Sequence, residues 1–196
     1  MVTMQPDAAF LQGLDFFGRA VGQLSPADWE RDSPCSGWRA LDVLGHVGQA
    51  TRFGTALLQG TRPDWSPVEP PGALVEGAPE TWWTGLSGPA AAALSGVDLT
   101  QEVDSPAGRR SIGDGLSFPA LDLYIHGWDV ARSGGVDLVI PAEAIEFAHT
   151  VIDPVPEDRI RNGRVFAAAR PTPPGATDSE AFLAWTGRDP AWPAKA

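Results

Sequence analysis

The chain has 196 residues, 43% hydrophobic and 20% charged, which suits one globular domain able to bury its own core. Its 25 acidic and 14 basic residues give a formal charge of −11, which repels nucleic acid and anionic membrane. The single cysteine, Cys35, excludes a disulfide scaffold and a cysteine-rich zinc site.

Met1 to Asp7 lacks a basic start followed by an apolar run, and no run of ~18 apolar residues occurs, so a cytoplasmic protein outside the membrane is expected. Phe10, Leu14, Phe17, Val21 and Leu24 recur at spacings of three and four and predict a first helix over about Asp7 to Leu24. Ser25-Pro26 opens a short turn or helical piece, and Asp32 to Gly37 reads as a loop. Val43, Val47, Ala50, Phe53, Gly54 and Leu57 make the stripe of a second helix, about Arg39 to Gln59, and His46 falls inside that stripe.

The proline-broken stretch from Arg62 to Pro79 is expected to hold no regular structure. A third helix is expected over Glu80 to Leu94. Gln101–Asp104 and Arg109–Ile112, flanking Ser105-Pro106-Ala107-Gly108, predict a small hairpin. A fourth helix is expected from near Ser117, with Pro119 in its first turn, to the Gly134-Gly135 stop; Gly113-Asp114-Gly115 reads as a turn. Pro141 opens a helix to about Ile152, Asn162-Gly163 marks a turn, and Thr177 with Glu180 forms a capping box for a short last helix through Trp185. The expected fold is mainly all-α: a four-helix bundle over residues 1–140, with a helical C-terminal extension of the same domain over 141–196.

The three histidines are His46, His126 and His149. Asp122 and His126 are four apart, so they share one helix face, and His46 lies inward on another helix. Bundles build metal sites from such facing side chains, and one divalent ion would satisfy two imidazoles and a carboxylate together. Two histidines and a carboxylate suit zinc, and also nickel, iron or manganese, with a position left for water or substrate. Against this, spacing alone reads Asp122, His126, Asp129 and Ser133 as the solvated face of a helix, and a histidine on an apolar face, like His46, is more often a hydrogen-bonded core residue than a ligand. Glu146 and His149 have the Glu-x-x-His spacing of dimetal bundles, but the second such pair is missing, so His149 reads as a surface residue. Cys35, with Arg31 and Arg39 near in sequence, reads as a buried small hydrophobe rather than a nucleophile. Trp38 and Trp128 stand beside the candidate ligands in sequence and read first as packing residues.

Ser33-Pro-Cys-Ser-Gly-Trp38, Asp42-Val-Leu-Gly-His46, Asp122-Leu-Tyr-Ile-His126-Gly-Trp-Asp129-Val-Ala-Arg132 and Phe182-Leu-Ala-Trp-Thr-Gly-Arg188-Asp-Pro-Ala-Trp192 together resemble a known group. It comprises actinobacterial metal-binding proteins related to the N-terminal domain of mycothiol-dependent maleylpyruvate isomerase, within the DinB-like superfamily. The resemblance covers about Phe10 to Trp192. It implies a DinB-like four-helix bundle whose metal is held at positions matching His46, Asp122 and His126. It also implies transferase or isomerase chemistry in which a low-molecular-weight thiol such as mycothiol attacks a small electrophile. The isomerase has a longer carboxylate where this chain has Asp122, and an additional C-terminal domain where this chain has a modest tail. A non-catalytic metal-binding or regulatory module is the alternative. Such bundles often pair, which leaves a homodimer open.

Overall fold

The computed structural model describes residues 4–62, 66–105, 108–161 and 165–192. Helices α1 (Pro6–Val21), α2 (Ala40–Leu58), α3 (Pro79–Ala92) and α4 (Ile112–Ser133) form the bundle. An antiparallel hairpin, β1 (Glu102–Ser105) with β2 (Gly108–Ser111), precedes α4, and α5 (Ala142–Ile152), α6 (Glu157–Ile160) and α7 (Asp178–Trp185) follow it. The fold is thus a mainly helical DinB-like bundle with a small hairpin. No helix among the described residues is long and apolar enough to cross a membrane.

The apolar stripes explain the assembly. Phe10, Leu14, Phe17 and Val21 of α1 are buried against α4, together with Leu44 of α2, Trp83 of α3 and Leu116 of α4. Each such side chain contributes roughly 1.5–3 kcal/mol by leaving water. A second cluster lies around Leu121, Ile125 and Trp128 of α4, with Ile140, Ile152, Phe166, Phe182 and Leu183. Helix α4 is therefore covered on two sides, by the bundle and by the chain that follows it.

The structure revises several sequence expectations. Helix α4 begins at Ile112, well before Ser117, because Ser111 caps it by accepting a hydrogen bond from the Asp114 amide at 3.0 Å. Gly113-Asp114-Gly115 is the first turn of that helix, not a free turn, and Asp114 complements its dipole. Pro119 consequently sits inside the helix, at the end of the second turn. The second strand of the hairpin ends at Ser111, not Ile112.

The stretch after α2 is less irregular than its prolines suggest, since Pro71–Leu74 forms a 3-10 turn. Asp42 holds that turn: its carboxylate is 3% exposed and accepts from the amides of Arg39 (2.9 Å) and Gly72 (3.2 Å). Gly45 permits the approach, because a Cβ there would collide with the Pro71 carbonyl. The short α6 was not expected from the sequence. The expected turn at Asn162-Gly163 and the centre of the hairpin at Pro106-Ala107 lie outside the described residues.

Candidate metal centre

His46 projects from α2, and Asp122 and His126 from α4, one turn apart. The structure brings all three together: their potential ligand atoms lie within 4.8 Å of one another. His46 Nε2 is 3.3 Å from Asp122 Oδ2, and the two imidazole rings meet edge to face at 5.0 Å. The side chains are 22% (His46), 29% (Asp122) and 12% (His126) exposed, so the cluster sits at a mouth rather than in a sealed core. Gly127 sets the depth of α4 against α1, since a Cβ there would stand 2.8 Å from the Phe16 ring.

Behind this cluster lies a second layer. Asp129 is fully buried, and its Oδ2 is 2.9 Å from His126 Nδ1. With the proton on Nδ1, that nitrogen donates to Asp129 and Nε2 keeps its lone pair for a ligand. Arg188, from the turn after α7, donates to Asp129 through Nε (3.0 Å to Oδ1) and Nη2 (2.8 Å to Oδ2). The Cys35 thiol donates to Asp129 Oδ2 at 3.1 Å.

Burial raises the cost of charge on Asp129, but the Arg188 guanidinium and the His126 hydrogen bond outweigh it and hold the carboxyl far below its usual range. Burial likewise pushes the Asp122 carboxyl up, and its hydrogen bond from His46 and nearby positive charge bring it below the ordinary value. His126 is depressed, chiefly by burial, which favours the neutral imidazole that binds metals. Burial and the Asp129 charge push the Cys35 thiol well up, so it stays a hydrogen-bond donor.

The solvated-face reading of α4 therefore fails for Asp129 and Ser133, both 0% exposed, with Arg188 of the C-terminal chain lying on Asp129. Cys35 faces His126, Asp129 and Arg188. The two arginines near it in sequence are engaged elsewhere, Arg31 with Asp28 and Arg39 with Glu30 and Asp42. Trp38 walls the site, its ring 5.2 Å from His46, whereas Trp128 packs in the second apolar cluster. His149 lies apart, half exposed against Phe182 and Trp185, and Glu146 is exposed. Sequence reasoning missed Arg188 as a site residue; its only signal was its place in the Gly187-Arg188 segment of the tail.

Two cavities flank the pair of histidines. One, of ≈ 280 Å³, is walled by Phe53, Phe118, Ile125 and Phe166. The other, of ≈ 440 Å³, is walled by Cys35, Trp38, Arg170 and Thr186. His46, His126, Val165 and Arg188 line both.

Fold and side-chain arrangement together define a DinB-like helical-bundle protein with a His-carboxylate-His cluster at a cavity mouth. More specifically, the chain belongs to the family described as mycothiol maleylpyruvate isomerase N-terminal domain, whose model matches residues 10–131. Among solved structures it is similar to a mutant of the mycothiol-dependent maleylpyruvate isomerase, at 15% identity and a TM-score of 0.62, covering 75% of this chain and 70% of that one. A second structure of the same isomerase aligns at 15% identity and a TM-score of 0.58, with the same coverage. At that identity the likeness speaks for the fold. Among curated protein sequences nothing matches the chain.

Proposed function

We propose that the protein is a metal-dependent enzyme that uses a low-molecular-weight thiol of the mycothiol type to isomerise or transfer to a small electrophilic substrate. The observation that carries this reading is the convergence of His46, Asp122 and His126 within 4.8 Å beside two cavities. The donor set fits a divalent ion: two imidazoles, one carboxylate, and a buried carboxylate on the far nitrogen of His126. Zinc suits this set best, with nickel, iron and manganese as the other candidates. When bound, such an ion would act as a Lewis acid that favours the thiolate form of a thiol.

The chain's own residues do the rest. Asp129 fixes the ring of His126, and Arg188 keeps Asp129 ionised without titrating the site. Phe53, Phe118 and Phe166 give one side of the cluster an apolar wall. Cys35 stays protonated, so the nucleophilic sulfur comes from the co-substrate rather than the chain. A non-catalytic metal module would want a fourth protein ligand to close the site. Among the described residues no further His, Cys, Asp or Glu joins His46, Asp122 and His126; Cys35 groups with His126 and Asp129 instead. That favours the catalytic reading.

Elemental analysis of purified protein beside His46→Ala and His126→Ala, with turnover of mycothiol and an electrophile, tests the proposal. Wild-type protein should hold about one ion per chain and turn over, and both variants should lose metal and activity together. Full activity in chelator-stripped protein would overturn it, and so would failure of the wild type to hold stoichiometric metal.

A further inference from the structure

The two cavities that share His46 and His126 differ in chemistry. The ≈ 280 Å³ cavity is lined mainly by Ala50, Phe53, Phe118, Leu121, Ile125 and Phe166. Its only cation among the described residues is Arg188, which is committed to the fully buried Asp129 through Nε and Nη2. The ≈ 440 Å³ cavity is lined by Ser36, Thr186, Cys35 and Arg170 around the Trp38 ring, with Thr186 donating to the Leu183 carbonyl, Cys35 to Asp129, and Arg170 paired with the half-exposed Asp189.

We infer that these cavities sort the two reactants, with the hydrophilic body of the thiol in the Trp38–Arg170 cavity and an uncharged, apolar electrophile in the Phe53–Phe118–Phe166 cavity. The inference rests on the proposed thiol chemistry for its first half and on the cavity walls alone for its second.

Charge and size both argue for the apolar assignment. A carboxylate on the electrophile's body would have to leave water for aromatic walls whose one cation among the described residues, Arg188, is held by Asp129, which is costly. The net charge of −11 adds long-range repulsion. An apolar cavity of about 150 Å³ is known to take benzene. The ≈ 280 Å³ here therefore suits one substituted ring, or a chain of similar bulk. The opposite placement would strand the polar groups of the thiol against phenylalanine. Because both cavities are lined by His46 and His126, the sulfur and the reactive carbon would meet beside those two side chains.

Calorimetric binding of methyl cinnamate and of cinnamate separates the alternatives. The two probes share a ring and differ in charge, and both are titrated into metal-free and metal-loaded protein. Methyl cinnamate is expected to bind metal-free protein about tenfold more tightly than cinnamate. Phe118→Lys and Phe53→Arg, at two partly exposed wall positions, should each narrow or reverse that preference. A helical circular dichroism spectrum and unchanged metal content would show that each variant folds. Mycothiol should bind the methyl cinnamate-saturated protein with its affinity unchanged. Equal or tighter binding of cinnamate to the metal-free wild type would overturn the apolar assignment, and competition between mycothiol and methyl cinnamate would overturn the division of cavities. Because the first comparison needs neither metal nor turnover, its failure is distinct from failure of the thiol chemistry.

Discussion

Replacing Arg188 with methionine removes the cation that lets a carboxylate sit at the centre of the site. Asp129 is 0% exposed and the Arg188 side chain 11% exposed, and they meet through Nε at 3.0 Å and Nη2 at 2.8 Å. After Arg188→Met, the Asp129 carboxylate keeps only the Nδ1–H of His126 and the thiol of Cys35 among these donors. Breaking a buried pair from one side costs about 3–5 kcal/mol, and the two surviving donors place the expectation near the lower end, about 3 kcal/mol. For a domain of this size that lowers Tm by about 6–12 °C. The assay is urea denaturation of the metal-free protein at neutral pH, comparing wild type, Arg188→Met, and Arg188→Met combined with Asp129→Asn. The double variant removes the stranded charge but keeps an acceptor for His126, so it should recover about half of the loss. A single-variant loss under about 1 kcal/mol would place the pair with surface ion pairs and refute the reasoning. A double variant no better than the single would refute the idea that a stranded charge causes the loss.

Two further expectations follow from the packing and the caps. Gly45→Ala should destabilise by about 1–3 kcal/mol in denaturant melts, because the added Cβ collides with the Pro71 carbonyl; an alanine-for-glycine gain of about 1 kcal/mol from helix propensity would contradict that contact. The Asp28 carboxyl is held below its usual value, chiefly by the Ser25 hydroxyl, with the Ser25 amide and Arg31 assisting against burial. A depressed folded pKa means that its contribution is present above the unfolded pKa, about 3.9, and is lost as pH falls through the lower folded value. The stability gap between wild type and Asp28→Asn should therefore narrow below about pH 4; a gap independent of pH from 6 to 2.5 would exclude the linkage.

The helices of the bundle were legible because their apolar residues repeat at three and four, and α1 and α2 fall within a few residues of where those stripes place them. That Asp122 and His126 share a face was legible from helical spacing, whereas the grouping with His46 rested on the resemblance carried by the flanking motifs; the structure brings the three within 4.8 Å. The start of α4 was not, because two glycines and a proline look like breakers until Ser111 is seen capping the helix and Leu57 is seen packing on Gly115. The role of Asp129 was hidden too. Its position on a polar stripe is the signature of a solvated face, and Arg188, from the chain beyond residue 140, joins Cys35 in covering it. Cys35 was judged by neighbours in sequence, Arg31 and Arg39, when its neighbours in space come from segments 91 and 153 positions away.

That distant chain divides the labour of the site in a way the bundle alone would not suggest. Helices α2 and α4 supply His46, Asp122 and His126, and they pack together in the main apolar cluster, to which the chain beyond residue 140 adds Phe147. The tail supplies Phe166 to the apolar cavity, Arg170 and Thr186 to the polar one, and Arg188 to both. Changes among these tail residues should alter which reactants fit while leaving His46 and Asp122 in place. Arg188 is the exception. It reaches the cluster through Asp129 and His126, so it is the one tail residue whose replacement should disturb reactant binding, stability and the presentation of His126 Nε2 together.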